Sequence, residues 1–126
     1  MNDVRVLVVD DHESFRHAVA AVIDETAGFI VVASAESGEE SLELAEEIEA
    51  DLILMDVNLP GINGIEASRV LTTRPKPPIV VLLSTYDEGE LDYDDCGAAA
   101  YITKSAFDPG RLADVWAAVN GRQSLR

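Results

Sequence analysis

Sulfur and positive charge are what this sequence has least of. It holds one cysteine, Cys96, so an internal disulfide is excluded, as is any metal site built from cysteines alone. Lys and Arg number 9 against 24 Asp and Glu, a formal charge of −15, and no Lys or Arg occurs between Arg16 and Arg69. A chain without a basic face has little with which to neutralise phosphates, so direct nucleic-acid binding is not expected, nor is attraction to anionic membranes. The longest apolar run, Ala18 to Ile23, is far short of the roughly 18 residues that span a bilayer. The opening residues lack the apolar core of a signal peptide, so a cytoplasmic protein is expected.

What is present fits one domain. The 126 residues are 48% hydrophobic, enough to fill a core without staples. No repeat or linker divides them, so residues 1–126 read as a single unit with a core over about 3–120 and a polar tail at 121–126. Five short apolar runs recur: Val4 to Val9, Phe29 to Ala33, Leu52 to Met55, Ile79 to Leu83 and Ala99 to Ile102. They lack polar alternation, as strands covered on both faces do. Between them stand helical stripes: Phe15, Val19, Val22 and Ile23; Leu42, Ala45 and Ile48; Ala67, Val70 and Leu71; and Leu112, Val115, Trp116 and Val119. The second helix turns Glu39, Glu40, Glu43, Glu46 and Glu47 to its other face, and Asp108-Pro109 marks the start of the last. Strand and helix alternate, which predicts an α/β fold with a doubly wound, five-stranded parallel sheet. The segment from Tyr86 to Gly97 departs from the pattern. It carries six acids between Asp87 and Asp95 and only Leu91 as a large aliphatic, so the helix expected there is short, frayed or absent.

In open α/β sheets, ligands bind beyond the carboxyl ends of the strands. Strand 1 ends in Asp10-Asp11, strand 3 in Asp56, strand 4 in Ser84-Thr85 and strand 5 in Thr103-Lys104, while strand 2 offers no reactive group. Singly, such residues are most often turn caps or surface charges. Jointly they describe one chemistry. Three neighbouring carboxylates repel and call for a divalent cation; Mg²⁺, which takes oxygen ligands and keeps several waters, is the natural one. Two acids on the metal leave Asp56 free to attack phosphorus. Lys104 and the Ser84 hydroxyl then hold the remaining phosphoryl oxygens. His12 and His17, five apart with no partner cysteine, read as helix-start or surface residues.

The segments Val8-Val9-Asp10-Asp11-His12, Leu54-Met55-Asp56-Val57-Asn58-Leu59-Pro60-Gly61, Leu83-Ser84-Thr85 and Tyr101-Ile102-Thr103-Lys104 together resemble the receiver domain of two-component response regulators, over about residues 3–120. Lys104-Ser105 and the Asp-Asp-His opening look most like the LuxR/NarL-type branch. The resemblance implies a flavodoxin-like sheet of order 2-1-3-4-5. It also implies Asp56 as phosphoacceptor, a Mg²⁺ site of Asp10, Asp11, Asp56 and the Asn58 backbone carbonyl, and Ser84 and Lys104 as the phosphoryl-sensing pair. Ser84 and Tyr101 would be the switch couple, and Asn58 and Tyr86 would tune the phosphoryl lifetime. The donor would be a sensor histidine kinase or a phosphotransfer protein. The output would be an unknown partner or a missing C-terminal effector domain, and a homodimer is left open. The chain would be no enzyme, beyond slow self-dephosphorylation. The spacing from Ser84 to Tyr101, which contains the acidic stretch, is about two residues shorter than the family norm, which keeps a second reading in play: a degenerate receiver that docks partners without phosphorylation. A hydrolase of the haloacid type fits poorly, since it would place its nucleophile after strand 1 with a second Asp two residues on, where this chain has Asn58 two residues after Asp56.

Overall fold

The computed structural model describes residues 3–85 and 96–124. Its elements alternate as the apolar runs predict: β1 (Val4–Val9), α1 (Glu13–Asp24), β2 (Phe29–Ala35), α2 (Gly38–Ile48), β3 (Leu52–Asp56), α3 (Gly64–Leu71), β4 (Ile79–Ser84), β5 (Ala100–Thr103), a 3-10 turn at Lys104–Ala106 and α4 (Pro109–Ser124). The five strands form one parallel sheet in the order β2-β1-β3-β4-β5. β3 and β4 are buried along their whole length, which is why their sequences are uninterrupted Leu, Ile, Val and Met until the last residue. The edge strand β2 is only partly covered, and its Ile30 is exposed.

Alternation of side chains divides the core in two. Leu7, Val9, Ile53, Met55, Val80, Leu82 and Tyr101 point to the face covered by α2 and α3. Val6, Val8, Leu52, Leu54, Val81, Leu83 and Ile102 point to the face covered by α1 and α4. There Trp116 meets the Phe29 ring edge-on with centroids 6.1 Å apart.

Helix starts are set by local chemistry. Ser37 accepts from the Glu40 amide at 3.1 Å to begin α2. Asn63 and Glu66 form a reciprocal capping box on α3. Asp108 accepts from the Arg111 amide at 2.7 Å, as the Asp-Pro signal predicts. The strands run slightly past the apolar runs: Asp56, Ser84 and Thr103 occupy the last ladder positions rather than the loops beyond. Their side chains are polar, but their backbones still pair. At the other end of the chain α4 continues through the polar stretch to Ser124. The acidic segment, and with it the expected short helix, Tyr86 and Leu91, lies outside the described residues.

Candidate functional site

The strand order reverses between β1 and β3, opening a crevice at their carboxyl ends. Asp10, one residue past β1, is 1% exposed, and Asp56, the last residue of β3, is 2% exposed. Lys104, following β5, spans both: its Nζ is 3.0 Å from Asp10 Oδ2 and 3.5 Å from Asp56 Oδ1. The three share a strand parity with Val8, Leu54 and Ile102, so alternation places them toward the α1 side of the sheet edge.

Two buried carboxylates against one ammonium leave negative charge uncompensated. The Asp56 carboxyl is accordingly pushed up to about 6, first by burial and then by the charge of Asp10, while Lys104 and the Asn58 amide pull it down. That amide donates to Asp56 Oδ1 at 3.2 Å. Asp10 is held by two further contacts. Its Oδ1 accepts from the His12 amide at 2.8 Å, at the start of α1, and its carbonyl accepts from the Arg16 guanidinium at 2.7 Å. Asp11 is more exposed, with His12 Nδ1 at 3.1 Å from its Oδ1 and 3.4 Å from Asp10 Oδ1. Asp10, Asp11 and His12 thus offer ligand atoms within 4.8 Å of one another. The excess negative charge and the hard oxygen donors fit a Mg²⁺ ion.

Ser84 is fully buried at the end of β4, one position past Leu83, the register partner of Asp56. Its own partner is Thr103, and Tyr101 pairs with Leu82, so Ser84 and Tyr101 lie two rungs apart along neighbouring strands on the α2/α3 face. Tyr101 is 8% exposed. Tyr86 lies outside the described residues. A cleft of about 670 Å³ opens at the opposite end of the sheet, among Ala45, Pro75, Ile79 and Trp116, and brings no reactive group toward Asp56.

Three contacts escape a linear reading. Phe15, which heads the apolar stripe of α1, lies under Lys104, with the ammonium 4.1 Å from its ring centroid. Arg16 grips the backbone that carries Asp10. His12, assigned to the helix start, does sit at the N-cap of α1 but also faces both acids. The acidic pair beside His12 was the available signal for the last; nothing local marked the other two.

Residues 6–116 match the family model of the response regulator receiver domain. The chain belongs to this family. Among curated relatives, this receiver is 44% identical over 106 residues to the response regulator GacA of Pseudomonas viridiflava, covering 82% of the chain and 49% of the relative. It is 40% identical over 105 residues to the transcriptional regulatory protein DegU of Brevibacillus brevis, covering 82% and 44%. The receiver therefore spans about half the length of the curated relatives it matches. Among solved structures, the signal receiver domain of a NarL response regulator from Mycobacterium tuberculosis superposes with a TM-score of 0.86 at 29% identity, over 96% of this chain and 99% of that one. A LuxR-family response regulator from Aurantimonas superposes at 0.83 with 31% identity, over 95% and 87%. The receiver is of the LuxR/NarL type, and its flavodoxin-like fold is that of these relatives. Among the described residues no helix is long and apolar enough to cross a membrane.

The position of Lys104 gives a first expected result. In metal-free protein, Lys104→Met keeps most of the side chain's length but removes the charge that holds Asp56 down, so the Asp56 carboxyl moves further up. Carbon-detected NMR titration of that carboxyl reads the shift. An unmoved value would mean that Lys104 serves Asp10 alone.

Proposed function

We propose that this receiver accepts a phosphoryl group on Asp56 from the phosphohistidine of a sensor histidine kinase or a phosphotransfer protein, in the cytoplasm. The observation that carries this reading is the buried Asp56 carboxylate held beside Asp10 under the single ammonium of Lys104. One Asp56 oxygen attacks phosphorus as the bond from phosphorus to the donor's imidazole nitrogen breaks, and the bonding pair leaves with that nitrogen. A carboxyl that titrates at about 6 is largely ionised at neutral pH, and burial leaves that charge poorly solvated and so more reactive toward phosphorus. Lys104 offsets charge on the phosphoryl oxygens, assisted by the Ser84 hydroxyl. Asp10, Asp11, Asp56 and the Asn58 carbonyl would hold Mg²⁺, which neutralises phosphoryl charge when bound.

The same geometry weighs against a phosphorylation-independent docking module, because a raised Asp56 costs stability that mere docking would not require. Ser84 and Tyr101, on one face of neighbouring strands, would carry the signal to the surface, and Asn58 beside Asp56 would set the phosphoryl lifetime. The receiver acts as a substrate of its donor, with only slow self-dephosphorylation. Its output is a separate partner or a C-terminal effector domain.

The test is intact mass after incubation with acetyl phosphate, with and without Mg²⁺. A single phosphoryl adduct that requires Mg²⁺ is expected. A folded chain that binds Mg²⁺ yet stays unmodified would overturn the proposal.

A further inference from the structure

Composition assigns Glu39 to the acidic, solvent-facing side of α2, one of five glutamates there. Its contacts say otherwise. Glu39 Oε2 accepts a hydrogen bond from the backbone amide of Ile62 at 3.1 Å, across 23 residues of chain. Ile62 belongs to the loop between β3 and α3, the stretch that leaves Asp56 and carries Asn58. The inner part of this loop is tied at both ends: the Val57 amide donates to Leu83 O at 3.0 Å, the Gly64 amide donates to Val57 O at 2.9 Å, and the capping box fixes Asn63. Pro60 has no N–H to offer, and at Gly61 the chain turns through a left-handed conformation, φ +73°. From this outer arc the Ile62 amide reaches back to α2 and is met by Glu39.

The two segments are shaped to each other. A methyl group at Gly61 would fall on the Glu39 carboxylate, and one at Gly38 would come within 2.7 Å of Ile62 Cγ1. Each bare glycine makes room for the other segment's side chain. Glu39 is also the second residue of α2 after its Ser37 cap, where a negative charge is favoured by the helix dipole, so the carboxylate is held near the loop by its own helix.

We propose that Glu39 is a positioning residue for the phosphoryl-transfer site: its carboxylate anchors the outer arc of the β3–α3 loop and so fixes Asn58 beside Asp56. The contact itself stands on geometry; its consequence for Mg²⁺ rests on the function proposed above. Three substitutions separate reach from charge. Glu39→Ala removes both. Glu39→Asp keeps the charge at the start of α2 but falls short of Ile62. Glu39→Gln reaches Ile62 with a neutral acceptor.

Two measurements on the full chain read the outcome, amide hydrogen exchange at Ile62 by NMR and Mg²⁺ affinity by calorimetry without phosphoryl donor. In the Ala and Asp variants Ile62 exchanges about tenfold faster and Mg²⁺ binds about fivefold more weakly, while Gln stays within about twofold of the native chain on both readouts. Ile62 exchange unchanged in the Ala and Asp variants overturns the anchor. So does faster exchange with undiminished Mg²⁺ affinity, because the loop would then be held without being positioned for the metal. A native chain that binds no Mg²⁺ would instead refute the proposed function, and the exchange rates alone would then decide whether Glu39 holds the loop.

Discussion

The Asp56→Asn chain is expected to gain no phosphoryl group from acetyl phosphate, and at neutral pH to be more stable than the native chain. The loss follows from removing the charged oxygen that would attack phosphorus. The gain follows from linkage. In the metal-free fold the Asp56 carboxyl titrates at about 6, against an ordinary 3.8. A carboxyl raised on folding makes the native state bind more protons than the unfolded one between those values, so its penalty is absent below pH 3.8, grows as pH rises and is complete above about 6. Two units correspond to about 3 kcal/mol. Part of that is returned because Lys104 loses a neighbour, which leaves about 2 kcal/mol in favour of Asn at pH 7.5, shrinking by roughly half at pH 5. Urea unfolding at the two pH values measures the difference without approaching the isoelectric point near 4.2, where solubility falls. Phosphorylation of the Asn variant would place the acceptor elsewhere, and equal stability at pH 7.5 would mean that Asp56 carries no burial penalty.

Leu54→Ala is expected to cost about 3–4 kcal/mol, measured by the urea midpoint at unchanged slope. Leu54 is fully buried at the centre of β3, two residues before Asp56, with Val8 of β1 and Val81 of β4 as its register partners. Helices α1 and α4 close over that face, so truncation leaves a void that neighbours on a five-stranded sheet cannot fill by shifting one side chain. Against a typical total of 5–15 kcal/mol, the loss is a large fraction of the fold's stability. Ile30→Ala, on the exposed side of β2, should cost less than about 1 kcal/mol. If Leu54→Ala also cost less than about 1 kcal/mol, the core would be relaxing around the void.

The parts of this architecture legible in the sequence are those set by local pattern. Uninterrupted runs such as Ile79 to Leu83 mark strands covered on both faces, and the change from apolar to polar at Asp10, Asp56 and Lys104 marks the edge where those strands end. Asp56 and Ser84, legible as the ends of their strands, still pair in the ladder beyond the apolar runs, because hydrogen bonding of the backbone does not depend on the polarity of the side chain. What stayed hidden was settled by side chains that reach between elements. Phe15 has the spacing of a core residue and reads as one, yet its ring lies beneath the Lys104 ammonium. Glu39 and Glu43 are equivalent in composition and helical face, and only Glu39 has a loop amide within reach. The pairing of Lys104 with Asp10 joins residues 94 apart, a distance no periodicity reports.

Helix α3 is eight residues long and is seated at both ends. Its first residue, Gly64, lies so close under the Asp56 carbonyl that any side chain there would strike it. Near its far end, Ser68 donates its hydroxyl to the Cys96 carbonyl oxygen at 3.0 Å, and the Thr72 hydroxyl, which donates to Ser68 O at 2.8 Å, lies 3.2 Å from that same Cys96 oxygen. In mechanical terms α3 is a strut with a pivot at each end. It has no internal joint, since an eight-residue helix changes length only by breaking its own hydrogen bonds. The Asp56 carbonyl and the point where the chain returns toward β5 are therefore two ends of one rigid member, and neither end can slide along its axis without carrying the other.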